Sequence, residues 1–137
     1  MPLGNLLELA YSIAQNSTHH RTKVGCVIAD QFNVLASGFN DPMPDGEWKH
    51  AEVMAIEALP KDAKRPLIMA VNWFPCLACA QRIADEGVEL LVFDLPASFA
   101  RWEDPKYKFA ESRDLLLQRG VVLWGVALPS INVAKDQ

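Results

Sequence analysis

The sequence lacks any long uninterrupted hydrophobic run. No stretch approaches the ~18 to 20 consecutive apolar residues that a membrane-spanning helix requires. The opening residues, MPLGNLLELAYSIAQ, are partly apolar, but they have neither a basic leading region nor a small-residue cleavage site. We therefore expect a cytoplasmic location and no contact with a membrane.

Cysteine is scarce, and basic residues are not in excess. The three cysteines are an odd number and two of them form a Cys-x-x-Cys motif, which argues for metal or redox chemistry and against a disulfide framework. The formal net charge is −4. Since proteins that grip a nucleic-acid backbone usually present a basic surface, this charge favours a small-molecule partner over nucleic acid.

The 137 residues, half of them hydrophobic, are the usual content of a single domain with one core, which we expect to span residues 1–137. The hydrophobic pattern predicts helices over residues 3–16, 50–59, 76–86 and 109–119. It predicts strands over residues 24–30, 33–38, 67–72, 88–93 and 121–127, and irregular segments over 39–49 and 94–107. Strands that alternate with helices in this way predict a layered α/β sheet covered by helices.

Two short motifs, His-Ala-Glu and Pro-Cys-x-x-Cys, carry residues suited to chemistry. Cys76 and Cys79 lie in the first turn of one predicted helix, on one face, where the helix dipole favours the thiolate form. His50 stands at the start of another predicted helix. Imidazole and thiolate are zinc ligands, and a site with three protein ligands keeps its fourth position open, as catalytic zinc sites do. We therefore predict that His50, Cys76 and Cys79 bind Zn²⁺ and that Glu52 is the general acid and base, beside a water whose pKa the metal lowers towards ~7.

Each motif alone has a simpler interpretation. A lone Cys-x-x-Cys is often a redox pair or half of a structural zinc site, so a non-catalytic zinc-binding interaction module is the alternative outside the enzymes. A structural site more often has four ligands, and the remaining cysteine, Cys26, lies within an apolar strand as a small hydrophobe. The conjunction of both motifs, each at the start of a helix, favours the catalytic site.

The pattern H-x-E…P-C-x-x-C is the signature of zinc-dependent base deaminases. With it, the chain resembles the cytidine deaminase superfamily and, within it, the deoxycytidylate (dCMP) deaminases. Further similar motifs cover nearly the whole chain, at residues 22–28, 38–40, 73–76, 104–107, 115–117 and 120–121. The resemblance implies a three-layer α/β/α fold with a mixed five-stranded sheet, a zinc cofactor, a homo-oligomer and hydrolysis of dCMP to dUMP and ammonia.

Two residues depart from that pattern. Asp41 stands where regulated dCMP deaminases usually have glycine, which argues against allosteric control by nucleoside triphosphates. Met54 stands where the family commonly has asparagine, and the His-Ala-Glu-x-Met form is similar to the tRNA adenosine deaminases. The alternatives are therefore the same chemistry on a nucleoside, a free base or a modified cytosine, and tRNA editing, which the acidic charge fits less well.

The resemblance also implies two substrate contacts. Asn40 would hydrogen-bond the sugar or phosphate end of the substrate, and the backbone amide of Ala51 would help to hold the pyrimidine carbonyl. On composition alone, a loop asparagine more often satisfies the local backbone.

Cations and aromatic residues supply the remaining candidates for substrate binding. A phosphate needs cationic or amide donors, for which the candidates are Arg21, Lys23 and Arg101, although each also fits a solvated surface charge. A stacking wall for the base is predicted at Trp48, in the loop before the first motif, with Trp73 and Trp102 as further candidates that also suit the core. His19 and His20 are expected to be exposed.

Overall fold

The computed structural model describes residues 2–128. The helices of this part of the chain are α1 (Leu3–Ala14), α2 (Ala51–Ala58), α3 (Leu77–Glu86), α4 (Leu95–Phe99) and α5 (Phe109–Gln118). Its strands are β1 (Gly25–Ala29), β2 (Val34–Phe39), β3 (Asp41–Pro42), β4 (Trp48–Lys49), β5 (Leu67–Val71), β6 (Val88–Asp94) and β7 (Val122–Val126). None of the helices among these residues has the length and apolarity needed to cross a bilayer.

Five strands form one mixed sheet in the order β2-β1-β5-β6-β7. Strand β1 pairs antiparallel with both β2 and β5, whereas β5, β6 and β7 are parallel to one another. All five residues of β1 are buried, as expected for a strand whose sheet is covered on both faces. The predicted mixed five-stranded α/β fold is confirmed.

One face of the sheet packs against α1. The apolar stripe of this helix, which includes Leu6, Leu7 and Ala10, contacts Val27 of β1 and Val92 of β6. The predicted helix over residues 3–16 is therefore confirmed, with its end two residues earlier, at Ala14.

The other face packs against α2, α3 and α5. Alternate strand residues such as Cys26, Met69 and Leu91 belong to one buried cluster with Ile83 of α3 and Leu116 of α5. Helix α3 ends at Gly87, whose φ of 80° places it in the left-handed region that glycine adopts without strain.

Two glycines allow a helix on each face to lie unusually close to the sheet. A methyl group on Gly25 would lie 1.9 Å from the carbonyl oxygen of Ala10 in α1. A methyl group on Gly38 would lie 2.4 Å from the carbonyl oxygen of Ala51, at the start of α2. Gly38 therefore fixes how closely the first turn of α2 approaches β2.

The structure differs from the sequence predictions in two segments. Residues 39–49, predicted as a loop, contain the short antiparallel pair β3–β4. Residues 94–107, predicted as irregular, begin with α4, because the carboxylate of Asp94 accepts a hydrogen bond from the amide of Ala97 at 2.9 Å and Pro96 suits a first helical turn.

The starts of three helices differ in how they are capped. Asp94 caps α4 through its side chain. His50 and Cys76 occupy the same position before α2 and α3, yet neither side chain makes a capping hydrogen bond. These two side chains are directed to other partners.

Candidate active site

The starts of α2 and α3 bring the predicted metal ligands together. Nδ1 of His50 lies 3.1 Å from Sγ of Cys79 and 3.6 Å from Sγ of Cys76. One ligand atom from each of the three residues lies within 4.8 Å of the others. Cys76 and Cys79 follow His50 by 26 and 29 positions in the sequence. The three side chains nevertheless converge, because both helices begin in the same region of the fold.

Protonation at these three residues is tightly linked. Hydrogen bonding between the two sulfur atoms lowers the pKa of Cys76 to about 4 and raises the pKa of Cys79. Hydrogen bonding to the sulfur of Cys76 raises the pKa of His50. A proton is therefore shared among groups that a divalent cation would hold in their deprotonated forms. One imidazole nitrogen and two thiolate sulfurs are a donor set that fits zinc.

Glu52 lies in the first turn of α2, two residues after His50, and is only 4% exposed. Burial, together with the nearby sulfur of Cys76, raises the pKa of its carboxyl group to about 7. Apart from its own backbone amide, no donor within residues 2–128 hydrogen-bonds to this carboxyl group. A carboxyl group with these properties exchanges protons near neutral pH.

Two of the three predicted metal ligands, His50 and Cys76, line a cavity of about 880 Å³ together with Glu52, and the predicted ligand Cys79 lies beside them. This volume falls within the range of small-molecule sites, roughly 300–1,000 Å³. The lining contains three basic side chains, those of Arg21, Arg101 and Lys106. The same lining contains two acidic residues, Glu47 and Glu52, so basic side chains outnumber acidic ones here, whereas the whole chain carries a formal charge of −4.

Four of the five predicted substrate-binding residues line the cavity: Asn40, Trp48, Ala51 and Arg101. Lys23 is not found among the lining residues of the described chain, although its backbone carbonyl accepts a hydrogen bond from Asn72. The roles of all five residues in binding remain predictions.

The side-chain amide of Asn40 is already engaged with the backbone. Its Oδ1 accepts from the amide of Val24 at 2.9 Å, and its Nδ2 donates to the carbonyl of Thr22 at 2.8 Å. Asn72 makes the equivalent pair with the amide of Gly25 and the carbonyl of Lys23. Two amides therefore hold the segment that leads into β1 and lines one side of the cavity.

Aromatic rings form two walls of the cavity. The ring of Trp48 packs edge-on against His19, with 4.6 Å between the ring centroids. The guanidinium carbon of Arg101 lies 3.9 Å from the ring centroid of Trp73, which is a close cation–π contact. Trp102 instead stacks on Phe109 and belongs to the core.

Sequence reasoning missed the contribution of the segment that precedes α5. Lys106 and Tyr107 line the cavity, and the ammonium group of Lys106 lies 5.5 Å from the ring of Tyr107. The motif at residues 104–107 was the available signal, but only the fold places it opposite His50. His19 and His20 also line the cavity; His20 is exposed, as expected, whereas His19 is half-buried.

Comparison with known protein families identifies one match. Residues 3–95 match the model of the cytidine and deoxycytidylate deaminase zinc-binding region, which is more than half of the chain. No curated protein sequence matches the chain significantly.

Solved structures with a similar fold include deaminases with different names and bound ligands. The dCMP deaminase of cyanophage S-TIM5, in complex with dCMP and dUMP, is 22% identical, with a TM-score of 0.71 and coverage of 90% of this chain and 95% of that chain. RibD of Acinetobacter baumannii is 22% identical, with a TM-score of 0.69 and coverage of 89% and 34%. The Rib2 deaminase of Aspergillus oryzae, in complex with DARIPP, is 19% identical, with a TM-score of 0.68 and coverage of 99% and 90%. These similarities establish the fold and do not separate the substrates.

Proposed function

Because the chain belongs to the cytidine and deoxycytidylate deaminase zinc-binding family, we propose that it is a zinc-dependent hydrolytic deaminase that converts dCMP to dUMP and ammonia. The observation that carries this proposal is the convergence of three metal-ligating side chains with a buried carboxyl group at one cavity. Hydrolytic deamination needs both a metal ion that activates water and a group that carries protons. The three ligands would supply the first, and the buried carboxyl group would supply the second.

His50, Cys76 and Cys79 would hold the zinc ion. Zinc bound there would act as a Lewis acid and make a water molecule a better nucleophile at neutral pH. The three residues are one ligand short of the four that structural zinc sites use. This difference favours a catalytic site over a purely structural one.

Glu52 would carry the protons of the reaction. Deamination forms a bond between C4 of cytosine and the oxygen of water, and breaks the bond between C4 and the exocyclic nitrogen. Glu52 takes a proton from the attacking water, passes it to N3, and then helps the second proton of the water to reach the departing amine, which leaves as ammonia. A carboxyl group whose pKa is about 7 both accepts and releases protons readily at neutral pH.

The cavity favours a substrate that carries negative charge. Arg21, Arg101 and Lys106 supply cationic donors for a phosphate group, and their concentration contrasts with the acidic chain as a whole. Trp48 and the Trp73–Arg101 pair would flank the base and sugar. The backbone amide of Ala51, at the start of α2, would hold the pyrimidine carbonyl, and Asn40 would place the sugar end.

The second candidate is the same chemistry on another small substrate. Cationic side chains recognise the phosphate of any nucleotide, and the RibD and Rib2 structures resemble this chain as closely as the dCMP deaminase does. A phosphorylated pyrimidine of a different kind is therefore the best-supported alternative.

We further propose that residues 1–137 form one domain that acts as a cytoplasmic homo-oligomer. Sedimentation of the purified protein would test the oligomeric state.

Ammonia release from a panel of substrates tests the proposal. We expect the purified protein to contain one zinc per chain and to deaminate dCMP faster than deoxycytidine, cytosine, guanine or an adenosine-containing tRNA. A zinc-loaded protein that fails to turn over dCMP would overturn the substrate, whereas a protein without zinc would overturn the mechanism.

Two arginine variants test whether Arg101 binds the phosphate group of the substrate. Arg101→Ala should raise KM for dCMP by about tenfold, the loss of one charge-assisted hydrogen bond, with little effect on deoxycytidine. Arg82→Ala, an exposed arginine in α3 outside the cavity lining, is the matched control and should change neither value. If Arg101→Ala and Arg82→Ala change the KM for dCMP equally, Arg101 does not bind the substrate.

A further inference from the structure

Two buried serine hydroxyl groups hold the backbone that leads to Cys76. The amide of Phe74 donates to Oγ of Ser98 at 2.9 Å, and Oγ of Ser112 donates to the carbonyl of Pro75 at 2.8 Å. Ser98 is 1% exposed and Ser112 is 0% exposed. The two residues immediately before Cys76 are therefore each tied to a side chain from a distant part of the sequence.

These serines lie outside the residues that match the family model. That match ends at residue 95, whereas Ser98 is in α4 and Ser112 is in α5. Ser98 is itself anchored, since its hydroxyl donates to the carbonyl of Asp94 at 2.6 Å. The carboxylate of Asp94 in turn accepts from the amide of Ala97 and from the hydroxyl of Tyr11 in α1.

The segment between β5 and α3 needs such support for a physical reason. It has left the sheet and has not yet entered the helix, so it lacks the regular backbone hydrogen bonds of either element. The ring of Phe74 is enclosed by Phe93, Phe109 and Trp102, at centroid distances of 4.9 to 5.9 Å, which keeps water away from this backbone. A buried amide or carbonyl group without a partner is destabilising, so the segment would shift if either hydroxyl were lost.

We propose that Ser98 and Ser112 are positioning residues of the metal site, which set its zinc affinity by fixing the backbone in front of Cys76. They have no direct contact with the three ligand atoms and act through the Phe74–Pro75 backbone. The proposal rests on the proposed zinc site. According to this proposal, two residues that lie beyond the family match hold the predicted metal ligand Cys76 in place.

Serine-to-alanine variants of the full chain test this inference. Zinc affinity is measured by competition with a chromogenic chelator, and the ligand geometry by the visible spectrum of the cobalt(II)-substituted protein. We expect Ser112→Ala and Ser98→Ala each to raise the zinc Kd by about 10- to 100-fold, the usual effect of removing an outer partner of a metal ligand. We also expect altered cobalt(II) bands in both variants.

Ser17→Ala is the matched control. Ser17 is 3% exposed, and its hydroxyl donates to the carbonyl of Asn40 at 2.8 Å, so the variant loses the same kind of buried bond away from Cys76. Its zinc Kd should change less than roughly twofold, while its urea-unfolding midpoint falls by as much as that of the two other variants. If Ser112→Ala does not fold without metal, Ser98→Ala, in a different helix, decides the question.

The outcomes separate the two proposals. If Ser98→Ala and Ser112→Ala match Ser17→Ala in zinc affinity, the positioning role is wrong and the zinc site stands. If the unaltered protein binds no zinc, both the positioning role and the proposed function are wrong.

Discussion

Asp94 and Glu52 are buried carboxyl groups on opposite faces of one sheet, and they have different partners. Asp94 accepts hydrogen bonds from Tyr11 and from the amide of Ala97, so its charge stabilises the start of α4 and its contact with α1. Glu52 has no such donors from other residues within the described chain, and burial raises its pKa to about 7. The comparison indicates that a buried carboxyl group without structural partners is available for chemistry.

The largest expected effect separates these two carboxyl groups. Glu52→Gln should lower kcat by about 10²- to 10⁴-fold, the usual contribution of a general acid and base, while zinc content and folding are retained. Asp94→Asn should lower the unfolding free energy by about 1–3 kcal/mol and keep turnover within roughly tenfold, because it weakens a structural hydrogen bond. Steady-state kinetics, zinc analysis and urea unfolding of both variants measure this. Unchanged turnover in Glu52→Gln would remove that residue from the mechanism.

The next effect compares the two glycines beneath the helices. Gly25→Ala and Gly38→Ala should each lower the unfolding free energy by at least about 3 kcal/mol, because the added methyl group meets helix backbone atoms that cannot move aside. Only Gly38→Ala should also weaken zinc binding, since Ala51 directly follows His50. Urea unfolding and chelator competition distinguish the two. A similar loss of zinc affinity in Gly25→Ala would mean that packing of α1 on one face of the sheet affects the zinc site on the other face.

The smallest effect concerns pH in the zinc-free protein. The pKa of Glu52 is raised from 4.5 to about 7, so the folded state retains a proton that the unfolded state releases in this range. Its contribution to stability is therefore full below about pH 4.5 and is lost as the pH rises through about 7. We expect Glu52→Gln to remove this decline in stability between about pH 4.5 and about pH 7, measured by urea unfolding at several pH values. Identical pH profiles for the two proteins would contradict this assignment.

The sequence predicted those elements whose signals are local. The apolar stripe of α1 and the Pro75 and Gly87 boundaries of α3 depend on neighbouring residues, as do the spacings within His-Ala-Glu and Cys-x-x-Cys. For this reason the sequence could single out the three candidate metal ligands, and the structure brings them together as expected.

Local sequence signals could not predict contacts between residues that are far apart in the sequence. Lys106 reaches the cavity because the chain returns across the site before α5, and the serines that support Cys76 are 22 and 36 residues further along the sequence. Helix α4 did have a local signal, Asp94 followed by Pro96, but its five residues are too few for a clear hydrophobic period. The engaged amide of Asn40 likewise depends on a segment 16 to 18 residues away.

The uncapped starts of α2 and α3 have a consequence for protein engineering. Aspartate or serine at positions 50 and 76 would supply the missing caps and add about 1 kcal/mol of stability each. Methods that optimise thermostability alone would therefore favour replacing His50 and Cys76, and would yield a more robust protein that no longer holds its metal. Consensus or computational stabilisation of this scaffold has to exclude both positions from the search.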